Sequence, residues 1–534
     1  MSALRPVLVA AGVLAGFLVT VPASAATPVI QVISRTPAAE GNDSSSDPAT
    51  SADGRYVVFA SYATNFIPGN TNGSQGIYVK DTVTGVISHA SAAANGTQAD
   101  ADSESPSISA DGRYVAFTSV ATNLVPGDTN GVRDVFVKDI RTGAIVKAST
   151  AESDFATISA DGRHVSFRSG TSAYVKNLDT AETKLIVANA PATTYPLSAD
   201  GRLAVFATSG ALVAGDTNNV SDVYLKDSQT GTLSRISTTA TGGQSAGGGT
   251  APTISADGKF AAFESAAADL VPSDANGAAD VFVKDLAKGT IRIGTVTAAG
   301  AQANGAATEP KLSANGRYLA FASAATNLVP GDTNGADDVF VKDLDKGTVL
   351  RTSVAAGGAQ AEADSDNVDL SGNGRVTVFR SESANLASAD GNNVADIFSA
   401  PALKPGADPY ADAIAAGTTV GLSNGANALG APDGKLAGVT GLLGGRLVLD
   451  MGEDEEGTGD LSVYYGGLNL GLLTSLDFLD AQGKSVGSGQ LNLIDLGAGT
   501  HVTKVAHSGA PYRYVRINTG LLQVFSLDAV EAAG

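Results

Sequence analysis

The chain has 534 residues, a formal net charge of −20 and an isoelectric point near 4.5. This argues against nucleic-acid binding, because phosphate recognition requires clustered Lys and Arg. Only 16% of the residues are charged and 63 are Gly, which favours turn-rich β-structure over long helices. The chain has no Cys, so disulfides, thiol catalysis and cysteine-ligated metals are excluded.

Residues 1–25 are predicted to be a secretory signal peptide. Arg5 is its only charged side chain, an apolar run extends from Val7 to Val21, and small residues at 23–25 provide a cleavage site. The alternative is an uncleaved membrane anchor, but the run is shorter than the roughly 20 residues of a spanning helix. We therefore predict an exported, extracellular or periplasmic monomer that does not insert into the membrane after cleavage.

The dominant pattern of the chain is a Ser-Ala-Asp-Gly tetrapeptide, or a close variant, that recurs seven times. Successive copies are 39 to 58 residues apart, which is the size of a four-stranded β-propeller blade. The third residue of each copy is Asp53, Asp111, Asp161, Asp200, Asp257, Asn315 and Asn373.

The second copy shows the predicted blade most clearly. Asp111-Gly112 is a hairpin signal, and the β-prone segments around it alternate with turns. The four predicted strands are Ser105–Ser109, Tyr114–Ser119, Asp134–Asp139 and Ala144–Ser149. A long loop, Val120 to Arg133, separates the second strand from the third.

The seventh unit lacks a fourth strand, and the N-terminal segment resembles one. Its predicted strands are Val368–Leu370, Val376–Arg380 and Val394–Ser399, while residues 28–36 resemble the fourth strands of other units. We therefore predict that residues 28–36 complete the seventh blade and remove its exposed edge. The predicted fold is all-β: a seven-bladed propeller over residues 26–400, a linker at 401–409 and a β-sandwich or jelly roll over 410–534.

The order Ser-Ala-Asp-Gly-Arg, an apolar strand with Phe, and then Asp-Val-Phe-Val-Lys-Asp resembles the TolB-type, WD-like propeller repeats of exported bacterial proteins. The resemblance covers roughly residues 28–400. It implies the propeller fold but little about function, because such propellers serve as interaction platforms, enzyme scaffolds and lids.

Five units carry Asp-x-Asn-x-x-x-Asp between the second and third strands. Side-chain oxygens at this spacing can converge on calcium, with carbonyls and water completing the shell. The alternative is turn chemistry alone, in which Asp and Asn form turns and satisfy backbone N–H groups. The candidate metal ligands are Asp128, Asn130 and Asp134; Asp216, Asn218 and Asp222; Asp274, Asn276 and Asp280; Asp332, Asn334 and Asp338; and Asp390, Asn392 and Asp396.

Asp139 falls where position twelve of an EF-hand would be, but it ends a predicted strand and is expected to cap the Thr-Gly turn. The first unit has Asn70 and Asn72 with Gly76 and so lacks both carboxylates, and the third passes from Ser169 to Ala173 without the loop. If the five loops bind calcium, the expected dissociation constants are on the order of 0.1–1 mM.

In a four-stranded meander the second-to-third loops leave from the same side as the connections between blades. The candidate loops therefore share a face with the acidic segments 100–104 and 362–366. We predict an acidic face that either carries a binding function or is only solvated surface.

Residues 410–534 continue as β-structure. Predicted strands lie at Arg446–Met451, Leu461–Tyr465, Ser475–Leu479, Tyr514–Ile517 and Phe525–Val530. The segment 427–434, the Tyr-Val-Arg-Ile strand and the closing Leu-Asp-Ala-Val-Glu resemble a discoidin or galactose-binding-like domain. That resemblance implies protein, cell-surface or glycan recognition. Sugar stacking favours exposed aromatic side chains, and with no Trp the candidates are Tyr464, Tyr465 and Tyr512.

Gly421-Leu422-Ser423-Asn424-Gly425 matches the Gly-x-Ser-x-Gly pattern, but a nucleophile elbow needs a strand–turn–helix in an α/β-hydrolase. The four histidines are scattered, and His501 and His507 are expected in surface loops. We therefore predict a secreted, non-enzymatic binding or scaffold protein that presents an acidic face. The alternative is an extracellular polysaccharide-active hydrolase or lyase that uses carboxylates of the propeller channel.

Overall fold

The computed structural model describes residues 30–402, apart from Thr71, Pro191, Thr193, Ala389 and Asn393, together with the strands of the C-terminal region. The predicted signal peptide and residues 403–409 of the predicted linker lie outside the described residues. No helix among the described residues is long and apolar enough to span a bilayer.

Seven antiparallel sheets follow one another along residues 31–401. The strands of the first three sheets are β2 (Ser45–Thr50), β3 (Tyr56–Ser61), β4 (Gly76–Asp81) and β5 (Ile87–His89); β6 (Ser103–Ile108), β7 (Tyr114–Ser119), β8 (Asp134–Asp139) and β9 (Ile145–Lys147); and β10 (Ser153–Ile158), β11 (His164–Ser169), β12 (Ser172–Asn177) and β13 (Thr183–Val187).

The remaining four sheets repeat this meander, except that a bridge from Leu197 to Ala204 replaces the innermost strand of blade 4. Their strands are β14 (Leu203–Thr208), β15 (Asp222–Asp227) and β16 (Leu233–Arg235); β17 (Thr250–Ile254), β18 (Phe260–Ser265), β19 (Asp280–Asp285) and β20 (Ile291–Ile293); β21 (Ala307–Leu312), β22 (Tyr318–Ser323), β23 (Asp338–Asp343) and β24 (Val349–Arg351); and β25 (Ser365–Leu370), β26 (Val376–Ser381) and β27 (Asp396–Pro401) with β1 (Gln31–Val32).

The ring closes as predicted, with the N-terminal segment as the outer strand of blade 7. Gln31 pairs with Ser399 and Val32 with Phe398, and Ile33 N donates to Ile397 O at 2.6 Å. The strand is shorter than the predicted 28–36. The innermost strands β25 and β2 are in contact, so the last blade packs directly on the first.

The innermost strands begin earlier than predicted because each of six contains a β-bulge. In blade 2 the strand begins at Ser103 rather than Ser105, and the register shifts between Glu104 and Ser107. Ser105 has φ 53°, in the left-handed region that few non-Gly residues adopt. Equivalent left-handed residues in the other bulged strands are Asp47, Phe155, Ala251, Glu309 and Asn367.

The Ser-Ala-Asp-Gly repeat forms the tight hairpin between the first and second strands. In blade 2, Ser109 Oγ donates to Asp111 Oδ1 at 2.6 Å, and Arg113 N donates to the same oxygen at 3.0 Å. Tyr114 N donates to Ser109 Oγ at 2.9 Å. The other six turns make the same contacts. Because an amide oxygen can accept these bonds, Asn315 and Asn373 serve equally well.

These seven turns also bond to one another through the backbone. Ala52 N donates to Ala110 O in the next blade, and Ala110 N donates to Ala160 O. The series continues around the propeller until Asn373 N of blade 7 donates to Ala52 O of blade 1. The turns therefore form a closed circle of seven hydrogen bonds on what we call the hairpin face.

The glycine of each turn packs against the preceding blade. Gly162 has φ +71°, and a Cβ built on it would lie 2.6 Å from Cδ2 of Tyr114, the first residue of the second strand of blade 2. The same approach joins Gly54 of blade 1 to Val376 of blade 7. Glycine is required here both for the backbone angle and for the close packing.

Gly162→Ala is expected to destabilise the propeller more than Gly277→Ala. Gly277 has φ +68°, and a Cβ added there would meet no atom within 4 Å, so both variants carry the left-handed backbone cost of about 1–2 kcal/mol. Only Gly162→Ala adds overlap with Tyr114, for about 1–3 kcal/mol more. Denaturant unfolding of both variants measures the difference, and equal losses would contradict this account of blade packing.

The C-terminal region forms two antiparallel five-stranded sheets. Gly489 of one sheet lies against Val505 of the other, so the sheets face each other as a sandwich, the predicted fold. Their strands are β28 (Ala413–Ile414), β31 (Arg446–Asp450), β36 (Tyr514–Asn518), β33 (Thr474–Leu479) and β34 (Ser485–Leu491), and β29 (Gly421–Ser423), β30 (Ala437–Gly441), β37 (Gln523–Ala532), β32 (Leu461–Gly466) and β35 (Thr500–Val505).

Candidate functional site

The long second-to-third loops and the connections between blades lie on one face, opposite the hairpin face. Gln75 N in the loop of blade 1 donates to Asp102 Oδ1 in the following connection at 2.9 Å. Asp337 N in the loop of blade 6 donates to Asp364 Oδ1 at 2.9 Å. The predicted association of the loops with the acidic segments is therefore confirmed, and we call this side the loop face.

The last Asp of each motif begins the third strand and is bonded to the end of the fourth. In blade 2, Ser149 Oγ donates to Asp134 Oδ1 at 2.8 Å, and Val135 N donates to Ser149 Oγ at 3.0 Å. Asn130 Nδ2 donates to Asp134 Oδ2 at 2.9 Å. The same hydroxyl contact recurs in Asp222 with Ser237, Asp280 with Thr295, Asp338 with Ser353 and Asp396 with Ser34.

In blades 2, 4 and 6 a basic side chain from the end of the fourth strand contacts both carboxylates of the motif. Lys147 Nζ lies 3.0 Å from Asp128 Oδ1 and 2.6 Å from Asp134 Oδ2. Arg235 Nη1 of blade 4 lies 3.5 Å from one oxygen each of Asp216 and Asp222. One ammonium or guanidinium group of the protein thus balances one of the two negative charges of each pair.

Blade 6 shows the electrostatics of such a pair. Arg351 Nη1 lies 3.1 Å from Asp332 Oδ1 and 2.9 Å from Asp338 Oδ2, and Asp338 is fully buried. Burial and the nearby Asp338 raise the pKa of Asp332, while Arg351 opposes the rise. The arginine therefore favours the ionised form of Asp332 beside its buried neighbour.

Blade 5 has Ile293 where blades 2, 4 and 6 have Lys or Arg, because Ile293 pairs with Phe282 as Lys147 pairs with Phe136. Gln302 Nε2 instead donates to Asp274 Oδ1 and to Asp280 Oδ2, both at 2.7 Å. Burial raises the pKa of Asp280, and repulsion from Asp274 adds to the rise. This pair is hydrogen-bonded but not neutralised.

Blade 1 is an uncharged version of the same arrangement. Gln98 Nε2 donates to Asn70 Oδ1 at 2.5 Å and to Asn72 Oδ1 at 2.8 Å. His89 occupies the position of Lys147 and stacks on Tyr78 at 4.9 Å. Burial lowers the pKa of His89 to about 4, so the imidazole is neutral. Where the carboxylates are lost, the cation is lost as well.

Blade 7 combines carboxylates with an apolar residue at the cation position. Val32 pairs with Phe398 as Lys147 pairs with Phe136. Glu40, in a bridge with Arg35, takes the place that Gln302 holds in its bridge with Val296. Asn392 Nδ2 donates to Gly41 O at 3.0 Å, so this loop is bonded to the N-terminal segment.

The central channel contains a cavity of about 540 Å³ lined by the innermost strands. Asp369 accepts a hydrogen bond from Thr50 N at 2.9 Å, and Glu309 Oε2 accepts one from Val368 N at 3.1 Å. Burial raises the pKa of Asp47 and of Asp369. Asp369 and Glu309 thus link neighbouring blades while bordering the cavity.

Other candidate residues have structural positions. Asp139 Oδ1 accepts hydrogen bonds from Arg141 N and Thr142 N at 2.9 and 3.2 Å, which confirms that it caps the Thr-Gly turn. Ser423 lies in a strand paired with β30, not at a strand–turn–helix junction. The expected loop position of His501 is wrong, because it lies in β35, where Val502 and Thr503 favour a strand. His507 and Tyr512 lie outside the described residues.

Within the described part of the chain, no three His, Asp or Glu side chains are grouped closely enough to hold a metal ion by themselves. The calcium prediction therefore depends on carboxylate pairs supplemented by other oxygens. Four charged residues of these sites were not predicted from the motif, because they lie outside it: Lys147, Arg235, Arg351 and Glu40. Aligning the fourth strands, which end in Lys, Arg, Ile and Arg in blades 2, 4, 5 and 6, is the signal that could have found the first three.

No protein-family model matches the chain, and no curated protein matches it. Among solved structures it is similar to the β-propeller domain of the trilobed protease from Pyrococcus furiosus, with 12% identity over 67% of this chain and 95% of that chain and a TM-score of 0.43. An oligogalacturonate lyase in complex with manganese has 12% identity, coverage of 71% and 94%, and a TM-score of 0.46. TolB from Acinetobacter baumannii has 16% identity, coverage of 57% and 77%, and a TM-score of 0.33. These similarities concern the propeller fold alone.

Proposed function

We propose that the chain is a secreted, non-enzymatic binding scaffold whose loop face takes a positively charged segment of a protein partner. The observation that supports this is the charge of the face. Its loops and connections contain fifteen acidic residues but only Arg35 and Arg133 as basic ones, and Arg133 is paired with Glu104. Charge complementarity of this kind steers and selects partners.

The acidic residues are unevenly distributed around the ring. The connections from blade 6 to 7, from 7 to 1 and from 1 to 2 contain Glu362 and Asp364, Glu40 and Asp43, and Asp100 and Asp102. The connections 188–195, 236–249 and 294–306 contain no charged residue. A basic ligand is therefore expected on one arc of the face, beside blades 7 and 1.

A lysine-rich octapeptide with a fluorescent label provides the test. Asp43→Asn/Asp102→Asn/Glu362→Gln removes three exposed charges of the arc and is expected to weaken binding at low salt by roughly tenfold. The matched control, Asp179→Asn/Glu182→Gln/Asp345→Asn, makes the same change in net charge at exposed positions of the hairpin face. Equal losses in the two variants would show attraction by net charge alone and would contradict a site on the loop face.

A polysaccharide-active enzyme is the second candidate, and the raised pKa values of Asp47 and Asp369 beside a cavity favour it. The carboxylates that line the channel also hold neighbouring strands, which favours the scaffold. Incubation with neutral and acidic polysaccharides distinguishes the enzyme from the scaffold. Release of products by the wild-type protein but not by Asp47→Asn would show that the chain is an enzyme and would contradict the non-enzymatic proposal.

We propose recognition of a protein or glycan ligand for the C-terminal sandwich as well. The support is the sequence resemblance to galactose-binding-like domains. Two of the candidate aromatic residues, Tyr464 and Tyr465, lie in β32.

A further inference from the structure

The five loops with the Asp motif differ in what balances their carboxylates. Blades 2, 4 and 6 use Lys147, Arg235 and Arg351. In blade 5 the hydrogen bonds of Gln302 partly compensate for the missing cation. Blade 7 has Val32 at the cation position and Glu40 at the glutamine position. It therefore has neither the basic side chain nor the glutamine hydrogen bonds, and it has a third carboxylate.

Two carboxylate oxygens of blade 7 are buried without a hydrogen-bond partner, Oδ1 of Asp390 and Oδ2 of Asp396, whereas the motif of blade 5 has one, Oδ2 of Asp274. Asp396 is fully buried. In blades 2 and 6 the corresponding Oδ2 atoms, of Asp134 and Asp338, receive Lys147 and Arg351, so Asp396 Oδ2 faces the position of the missing cation. An ionised buried carboxylate oxygen with no partner is costly, which indicates a ligand.

The local field supports the same conclusion. Burial raises the pKa of Asp396 to about 6; polar contacts from the Ser34 hydroxyl and the Asn392 amide oppose the rise, and Asp390 and Glu40 add to it. The pKa of Asp390 is raised by its burial and by Glu40. Every charged neighbour that shifts the pKa of Asp390 or Asp396 is acidic. A cation bound between these carboxylates would therefore relieve their repulsion and would occupy the position that Lys147 and Arg351 hold in blades 2 and 6.

We propose that the loop of blade 7 binds one calcium ion through Asp390 and Asp396, with Glu40 beside them, and that the ion fastens the N-terminal segment to the last blade. Calcium accepts carboxylate, carbonyl, amide and water oxygens in an adaptable shell of six to eight ligands, so it does not require three convergent carboxylates. This inference narrows the calcium prediction to one loop and does not depend on the proposed partner.

The position of the site gives the ion its role. Ser34 Oγ donates to Asp396 Oδ1, and Gly391 N donates to Glu40 Oε2 at 3.2 Å. Both contacts join residues separated by more than 350 positions. An ion held here would link the two ends of the propeller where β1 completes blade 7.

Calorimetric titration of the full chain with CaCl2, after treatment with a chelating resin, tests the site. One ion is expected, with a dissociation constant on the order of 0.1 mM, and 10 mM calcium should raise Tm by roughly 3–6 °C over chelator. Asp390→Asn should weaken binding at least tenfold. In chelator Asp390→Asn should melt above the wild-type protein, because it removes repulsion without removing a bound ion.

Two further variants locate the site. Asp332→Asn is the matched change in blade 6 and should leave calcium binding unaltered, since Arg351 already fills that position. Val32→Arg places a guanidinium in blade 7 where Arg351 lies in blade 6, and it should abolish binding while Tm in chelator is maintained. If Val32→Arg does not fold, the loss of calcium binding in Asp390→Asn remains the test of the site.

Absence of both heat and a Tm shift in wild-type protein would overturn the proposal. Loss of binding in Asp274→Asn but not in Asp390→Asn would overturn it too, because it would place the ion in blade 5. Binding of the lysine-rich peptide is a separate measurement that leaves Asp390 and Asp396 intact, so failure of one proposal is distinguishable from failure of the other.

Discussion

Replacing Arg351 with Met is expected to lower the free energy of unfolding by about 3–5 kcal/mol. The methionine keeps much of the apolar stem but leaves Asp332 and Asp338 adjacent and buried without a counter-charge. Breaking one partner of a buried ionic cluster is costly because the remaining charges stay uncompensated. Urea unfolding at pH 7.5 measures the loss.

Arg351→Lys is the matched control, because blade 2 uses Lys147 at the same position, and it should remain within about 1 kcal/mol of the wild-type protein. The deficit of Arg351→Met should shrink as the pH falls from 7.5 to 5. Burial and Asp338 already raise the folded pKa of Asp332, and the substitution removes the opposing effect of Arg351, so the folded state takes up a proton at a higher pH than the unfolded state does. A methionine variant as stable as the lysine variant would contradict a neutralising role.

Deleting residues 1–36 is expected to abolish the stable monomeric propeller. The deletion removes β1 and with it Ile30, Val32 and Ile33, which are buried on both sides of blade 7. Three such side chains contribute roughly 5–8 kcal/mol, comparable with the whole stability of many domains. The uncovered β27 edge would also be open to pairing with another chain.

Deletion of residues 1–29 is the control, because it leaves the closing strand in place. Size-exclusion chromatography and thermal unfolding compare the two proteins, and we expect a monomer from the shorter deletion and aggregates or dimers from the longer. A monomeric, cooperatively melting product of the longer deletion would show that three strands suffice for blade 7.

The sequence predicted blade number and ring closure well because both depend on local signals. Asp-Gly or Asn-Gly turns and apolar strands recur in every unit, and the missing fourth strand of the last unit pointed to the N-terminal segment. The bulges could not be predicted in this way. Residues as different as Asp47, Phe155 and Ala251 adopt the left-handed angle, so these sites share a position in the strand and not a residue type.

The loop chemistry was predicted only in part for a similar reason. The Asp-x-Asn-x-x-x-Asp spacing locates the carboxylates, but what faces them comes from other strands. Lys147 lies 19 positions from Asp128, and Ser34 lies 362 positions from Asp396. Since strand pairing brings these residues together, the motif alone could not distinguish the carboxylates of blade 6, which have an arginine between them, from those of blade 7, which have no cation.

The circle of backbone hydrogen bonds among the seven turns has a consequence for how the propeller comes apart. Linear repeat proteins fray from their terminal repeats, which contact only one neighbour. Here the bond from Asn373 to Ala52 gives the first and last units two neighbours each, so there is no outermost repeat from which fraying can start. The amide protons of Ala110, Ala199 and Ala314 should therefore exchange with solvent at similar, slow rates, through the opening of the whole ring.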